Sequence, residues 1–162
     1  MLHDDQLTCI KWIHSCKTNP PKWMRSNPSF QDKNGDTYAM HWIGTCKSNP
    51  PDWMHHSPYI QNKNGDTCAM HWITTHDTNP PEWMHHSPDI QNKNGKTCAI
   101  HWLKKFKTNP PQWMQHSSDI QDGKTCAMIW ITTHDTNPPD WMIHSPDIGH
   151  VNQKHLNGCI II

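Results

Sequence analysis

A chain of 162 residues with fourteen basic and fourteen acidic side chains carries no net charge when its fifteen histidines are neutral. It has no basic stripe of the kind that neutralises a phosphate backbone, so nucleic acid is not an expected partner. Only 33% of the residues are apolar, low for a globular domain. Met1 to Leu7 hold charges and no apolar run, so neither a secretory signal nor a membrane span is expected, and the protein reads as intracellular and cytoplasmic.

The strongest signal is a period. The phrase Asn-Pro-Pro starts at Asn19, Asn49, Asn79, Asn109 and Asn137, at spacings of 30, 30, 30 and 28 residues. All ten tryptophans fall on two places in it, at Trp12, Trp42, Trp72, Trp102, Trp130 and at Trp23, Trp53, Trp83, Trp113, Trp141. A fixed period of this size marks a repeat architecture in which each unit contacts its neighbours and a lone unit buries too little to fold. The units run over about 1–31, 32–61, 62–91, 92–121 and 122–148, and 149–162 read as a degenerate tail or a truncated next repeat.

Within the third unit, Asn62 to Thr67 carry an Asn-Gly pair that marks a tight turn. From Cys68 to His76, Ala69, Trp72, Ile73 and His76 fall at i, i+3, i+4 and i+7, one face of a helix that Thr67 caps. After Asp77-Thr78, Asn79 reads as an N-cap, Pro80 and Pro81 suit a first turn, and Glu82 suits a capping box. A second, shorter helix is expected through Trp83 and Met84 to His86, stopped by Pro88. No apolar alternation is long enough for a strand. The expectation is all-α: a solenoid of about five stacked helix-turn-helix repeats. Both Trp columns read as core, with Met24, Met54, Met84, Met114 and Met142 as fillers beneath them.

The segment Ser87-Pro88-Asp89-Ile90-Gln91-Asn92-Lys93-Asn94-Gly95-Lys96-Thr97 resembles the junction of ankyrin repeats, a Gly-Ala-Asp-Ile-Asn-like stretch leading into Asp-x-x-Gly-x-Thr. The resemblance recurs at Pro58 to Thr67 and less completely at Pro28 to Thr37. Thr67-Cys68-Ala69-Met70 stand where that family has Thr-Pro-Leu-His, Trp72 stands for a small Ala, and the usual length of about 33 residues is cut to 30. The chain thus looks like a divergent ankyrin-type protein. The resemblance implies a protein-binding scaffold, monomeric and without cofactor, whose concave face and turn fingers contact another protein.

Comparison of the copies adds detail to that expectation. The columns His14, Gly44, Thr74, Lys104, Thr132 and Ser15, Thr45, Thr75, Lys105, Thr133, near the end of the first helix, vary while the Trp columns and Asn-Pro-Pro do not. Together with the finger tips they nominate Lys63, Asp66, Thr74, Thr75, Lys93, Lys96, Lys104 and Lys105 as partner-binding residues. The fourth unit is basic there, which suits an acidic partner surface. In the fifth unit Gln121 to Thr125 is two residues short, so one finger is expected to be clipped. No capping repeat is evident at either end, consistent with a fragment of a longer array.

Catalysis finds little support, because thiols, imidazoles and carboxylates recur with the repeat instead of converging on one pocket. The alternative reading is a metal-binding protein built on His, Cys and Met. Adjacent pairs such as His55-His56 and His85-His86 point about 100° apart on a helix, and His71 and His76 are five apart, so neither has chelating spacing; no metal ligand is nominated. Cys9, Cys68, Cys98 and Cys126 share one repeat position that Tyr38 takes in the second copy. Equivalent positions on helices stacked about 8–10 Å apart are expected to be too distant for a disulfide, which suggests buried, reduced thiols.

Overall fold

The computed structural model describes residues 2–115 and 126–142, with side chains from residue 8 onward. The described chain is all-helical: six α-helices and four single 3₁₀ turns, with one isolated antiparallel bridge between Gln31 and Thr37 and no strand among the described residues. The helices are α1 (Leu2–His14), α2 (Lys22–Arg25), α3 (Tyr38–Cys46), α4 (Cys68–Thr75), α5 (Cys98–Phe106) and α6 (Cys126–Thr133). Helix α1 packs on α3, α3 on α4, α4 on α5 and α5 on α6, so the first helix of each unit lies against that of the next.

Local chemistry explains these helices. Thr37, Thr67 and Thr97 sit in extended backbone at the N-caps of α3, α4 and α5, and their hydroxyls accept from the backbone N–H of Met40, Met70 and Ile100 at 3.3, 3.4 and 3.3 Å. Thr125 lies outside the described residues. Behind each cap, Ala39, Ala69 and Ala99 are fully buried, and their small side chains let successive helices approach closely. Ile43, Ile73 and Leu103 fill the next turn of the same face.

The second helix is shorter than expected. After the two prolines the chain makes one 3₁₀ turn, at Asp52–Met54, Glu82–Met84, Gln112–Met114 and Asp140–Met142; only the first unit forms an α turn, α2. In the third unit the turn is closed by Met84 N–H to the Pro81 carbonyl (2.9 Å) and His85 N–H to the Glu82 carbonyl (3.0 Å). Pro88 forces its predecessor out of the helical region, and His85 is already extended, so too few residues remain to propagate a helix. The N-cap is Pro81, not Asn79, and Glu82 forms no capping box. The methionines behave as read: Met24, Met54, Met84, Met114 and Met142 are each at most 2% exposed.

The cysteine reading needs one correction. Cys9, Cys68, Cys98 and Cys126 are buried thiols outside any disulfide, but Cys16 and Cys46 form a disulfide between equivalent positions of the first two units, with Cα atoms 5.7 Å apart. Interaxial distance misleads here, because residues at helix ends that face one another lie closer than the axes do. Cys16 follows the end of α1 in the left-handed region (φ 51°), and Cys46 is the last residue of α3.

The fingers stack through their backbones. Asn62 Oδ1 accepts from Asn64 N–H (2.9 Å) and Asp66 N–H (3.0 Å), and Asp32 and Asn92 close their own fingers in the same way. Lys63 N–H donates to the Asn34 carbonyl (2.8 Å) and Lys93 N–H to the Asn64 carbonyl (2.9 Å), joining each finger to the next. Gly65, with φ +78°, leaves no room for a side chain: a Cβ there would lie 2.8 Å from Lys93 N.

Candidate interaction surface

The invariant residues build a clamp between units. Trp83 Nε1 donates to Asn49 Oδ1 of the preceding unit (3.2 Å), Trp113 to Asn79 (3.1 Å) and Trp141 to Asn109 (2.9 Å). The asparagines of the second, third and fourth Asn-Pro-Pro are used in this way. The first histidine of each pair stacks on the next unit's indole, His55 on Trp83 and His85 on Trp113, both at 4.2 Å, while His56 and His86 meet the same indoles edge-on. His85 Nε2 holds its position by donating to the Pro80 carbonyl (2.9 Å). In the fourth unit Gln115 takes this place and donates to the Pro110 carbonyl in the same way (3.0 Å).

The second histidine of each pair turns inward. His86 Nδ1–H donates to the Ser87 carbonyl (2.7 Å), which leaves Nε2 to accept from the Thr67 hydroxyl (2.9 Å) beside the Cys98 thiol of the next unit (3.6 Å). His56 repeats the arrangement with Ser57, Thr37 and Cys68. Burial lowers the pKa of both imidazoles and pushes the Cys68 and Cys98 thiols up to about 12, so these are neutral packing groups and not activated nucleophiles.

What remains facing solvent is the variable part. His14, Gly44, Thr74, Lys104, Thr132 and their neighbours Ser15, Thr45, Thr75, Lys105, Thr133 are all exposed. Lys63 and Lys93 are exposed on the fingers, whereas Asp66 and Lys96 are half-buried at the finger bases. Asp66 and Thr74 come together with Met70, His71 and His101 around a shallow recess of about 60 Å³ between the third and fourth units. The histidine column at His41, His71 and His101, which lies behind the nominated residues, is not legible as a site from the sequence; its signal is its constancy through the three middle units, between Lys11 and Ile129. Burial lowers the pKa of His71, against the pull of Asp36 and Asp66, and burial likewise lowers that of His101, with Lys96 and Lys104 acting in the same direction and Asp66 against it.

Four nominated residues have side chains with internal roles. Thr74 Oγ1 donates to the His71 carbonyl (2.9 Å), and Asp66 Oδ1 accepts from Asn92 Nδ2 (2.8 Å). Lys105 Nζ reaches back to the preceding unit, where it pairs with Asp77 (3.1 Å) and donates to the His76 carbonyl at the end of α4. Thr75 Oγ1 donates to the His71 carbonyl (2.8 Å) within its own helix. Among the described residues, the side chains of Lys104 and Lys93 make no such hydrogen bond or ion pair.

Among the described residues, one group has ligand types for a metal: Asp32, Asp36 and His41 bring one donor atom each within 4.8 Å of one another. Those donors are already occupied. Asp32 Oδ1 takes two backbone N–H groups, its Oδ2 lies 3.2 Å from His41 Nε2, and Asp36 Oδ1 accepts from Asn62 Nδ2 (2.8 Å). A metal there would have to replace bonds that hold the finger closed.

No helix among the described residues is long and apolar enough to cross a membrane. No family model, no curated protein and no solved structure matches the chain.

Proposed function

We propose that the chain is a non-enzymatic, ankyrin-like solenoid that presents a concave surface to another protein, in keeping with the resemblance at the finger segments. The observation that carries this reading is the division of labour within the repeat. Residues that hardly change between copies are consumed in the clamp, the caps and the core, while the columns that change freely form one exposed strip beside the fingers. Folding constrains that strip little, so its composition is free to follow a partner. Lys93, Lys96 and Lys104 make the fourth unit basic and suit an acidic patch on that partner. A soluble intracellular monomer without cofactor fits this use.

The test is capture of partners by proximity labelling with the intact chain, followed by charge reversal. Lys93→Glu with Lys104→Glu is expected to remove the specific partners, and Lys22→Glu with Arg25→Glu, on the exposed arm of the first unit, to leave them bound. Retention of every partner by the first variant overturns the reading. The second reading, a metal-binding chain, rests on Asp32, Asp36 and His41; stoichiometric zinc or copper in protein purified without a metal-affinity step would favour it over the first.

A further inference from the structure

Four junctions join the five units, and the first is built differently. Where the second and third units offer a histidine pair to the next indole and the fourth has Gln115-His116, the first unit has Arg25 and Ser26. Trp53 consequently meets Trp12 at 6.0 Å and Tyr38 at 6.1 Å, with no histidine stacked on it. Its Nε1 is buried without a hydrogen-bond partner, although Asn19 stands at the repeat position that serves Trp83, Trp113 and Trp141. Trp23, the equivalent residue of the first unit, is 47% exposed. The junction that lacks the clamp is the one that carries the disulfide, at a column occupied by His76, Phe106 and His134 in the other units. At two of those positions the aromatic ring is a histidine stacked on its own unit's tryptophan, His76 on Trp72 at 3.7 Å and His134 on Trp130 at 3.8 Å.

We infer that the Cys16–Cys46 bond is a thiol-reducible lock that holds the first unit on the array in place of the missing clamp. Cys16 is exposed and Cys46 half-buried, so a reductant reaches the bond in the folded chain, whereas Cys9, Cys68 and Cys98 are shut in the core. A dithiol, or two molecules of a monothiol, supplies two electrons and two protons. The attacking thiolate forms a mixed disulfide at Cys16 as Cys46 leaves; a second thiol then releases Cys16 and the reductant departs as its own disulfide. The products are two thiols and a first unit that stays joined through the backbone but is held in place on the array by noncovalent packing of α1 on α3. Opening the lock removes His14 and Ser15 from the exposed strip, so redox state sets whether the surface has five rungs or four. This inference stands on the junctions and does not require any partner.

The experiment is hydrogen exchange read by mass spectrometry on the full chain, air-oxidised and then treated with a dithiol. A bond closing 30 residues predicts that opening of α1 becomes on the order of several hundredfold more frequent on reduction, with exchange in α4 and α5 unchanged. Cys16→Ser with Cys46→Ser should behave like the reduced protein with or without dithiol; if that variant does not fold, reduction of the wild-type chain decides alone. Equal exchange of α1 in both redox states, an increase spread evenly through α5, or a peptide map without the Cys16–Cys46 link would each overturn the inference.

Discussion

Acidification should destabilise this protein within a narrow window, and the sign follows from burial. His71 and His101 have pKa values lowered first of all by burial. A histidine with a folded-state pKa below its unfolded value stays neutral in the folded chain, while the unfolded chain takes up a proton as pH falls through about 6.5. Stability is therefore present above that pH and lost below it, until the folded imidazole itself protonates. Between pH 7.0 and 5.5 a group that stayed wholly neutral when folded would lose about 1.2 kcal/mol, so His71 and His101 together set an upper limit of about 2.5 kcal/mol. His56 and His86, also lowered chiefly by burial, act in the same direction. Urea unfolding followed by tryptophan fluorescence at half-unit steps measures this directly. His71→Gln with His101→Gln should flatten the slope. An unfolding free energy equal at pH 7.0 and 5.5, or a slope unaffected by the double substitution, would refute the reasoning.

Other predictions test the stack. Gly65→Ala combines a left-handed backbone conformation with a contact of 2.8 Å to Lys93 N. It should cost about 2–3 kcal/mol by chemical denaturation, and a loss under about 0.5 kcal/mol would mean that the fingers do not touch. Asn79→Ala leaves Trp113 Nε1 without its acceptor (3.1 Å); a destabilisation of about 1 kcal/mol is expected, and none if the bond is absent in solution. Alkylation at pH 7.5 should leave Cys68 and Cys98 unmodified until denaturant is added, because burial holds both thiols at about 12; rapid labelling of the folded chain would contradict their placement.

Sequence made the local structure legible where the cause is local. The Thr67 cap, the helix after it and the Asn-Gly turn depend on neighbours within a few residues, and each is found. The second helix was overcalled, because the prolines on both sides leave space for a single turn only. What escaped the sequence are contacts across 28 to 34 positions: Asn49 with Trp83, His55 stacked on that indole, Lys105 reaching His76, and Cys16 with Cys46. Their partners are decided by how units sit on one another, which no single unit encodes. Two signals did point to them. Cys16 and Cys46 are separated by one full period, and Gln115 replaces a histidine while keeping its bond to the carbonyl before it. At the surface, the exposed columns were legible from variation alone, but the withdrawal of Lys105 into a contact with the preceding unit was not.

The account stands or falls on where a partner sits. Hydrogen exchange of the chain with and without a captured partner locates the contact. Protection is expected at the C-terminal ends of α4 and α5 and at fingers 62–66 and 92–96, with the turns Asp52–Met54 and Glu82–Met84 unchanged. Protection confined to those turns would place binding on the clamp side and contradict the assignment of the variable strip to recognition.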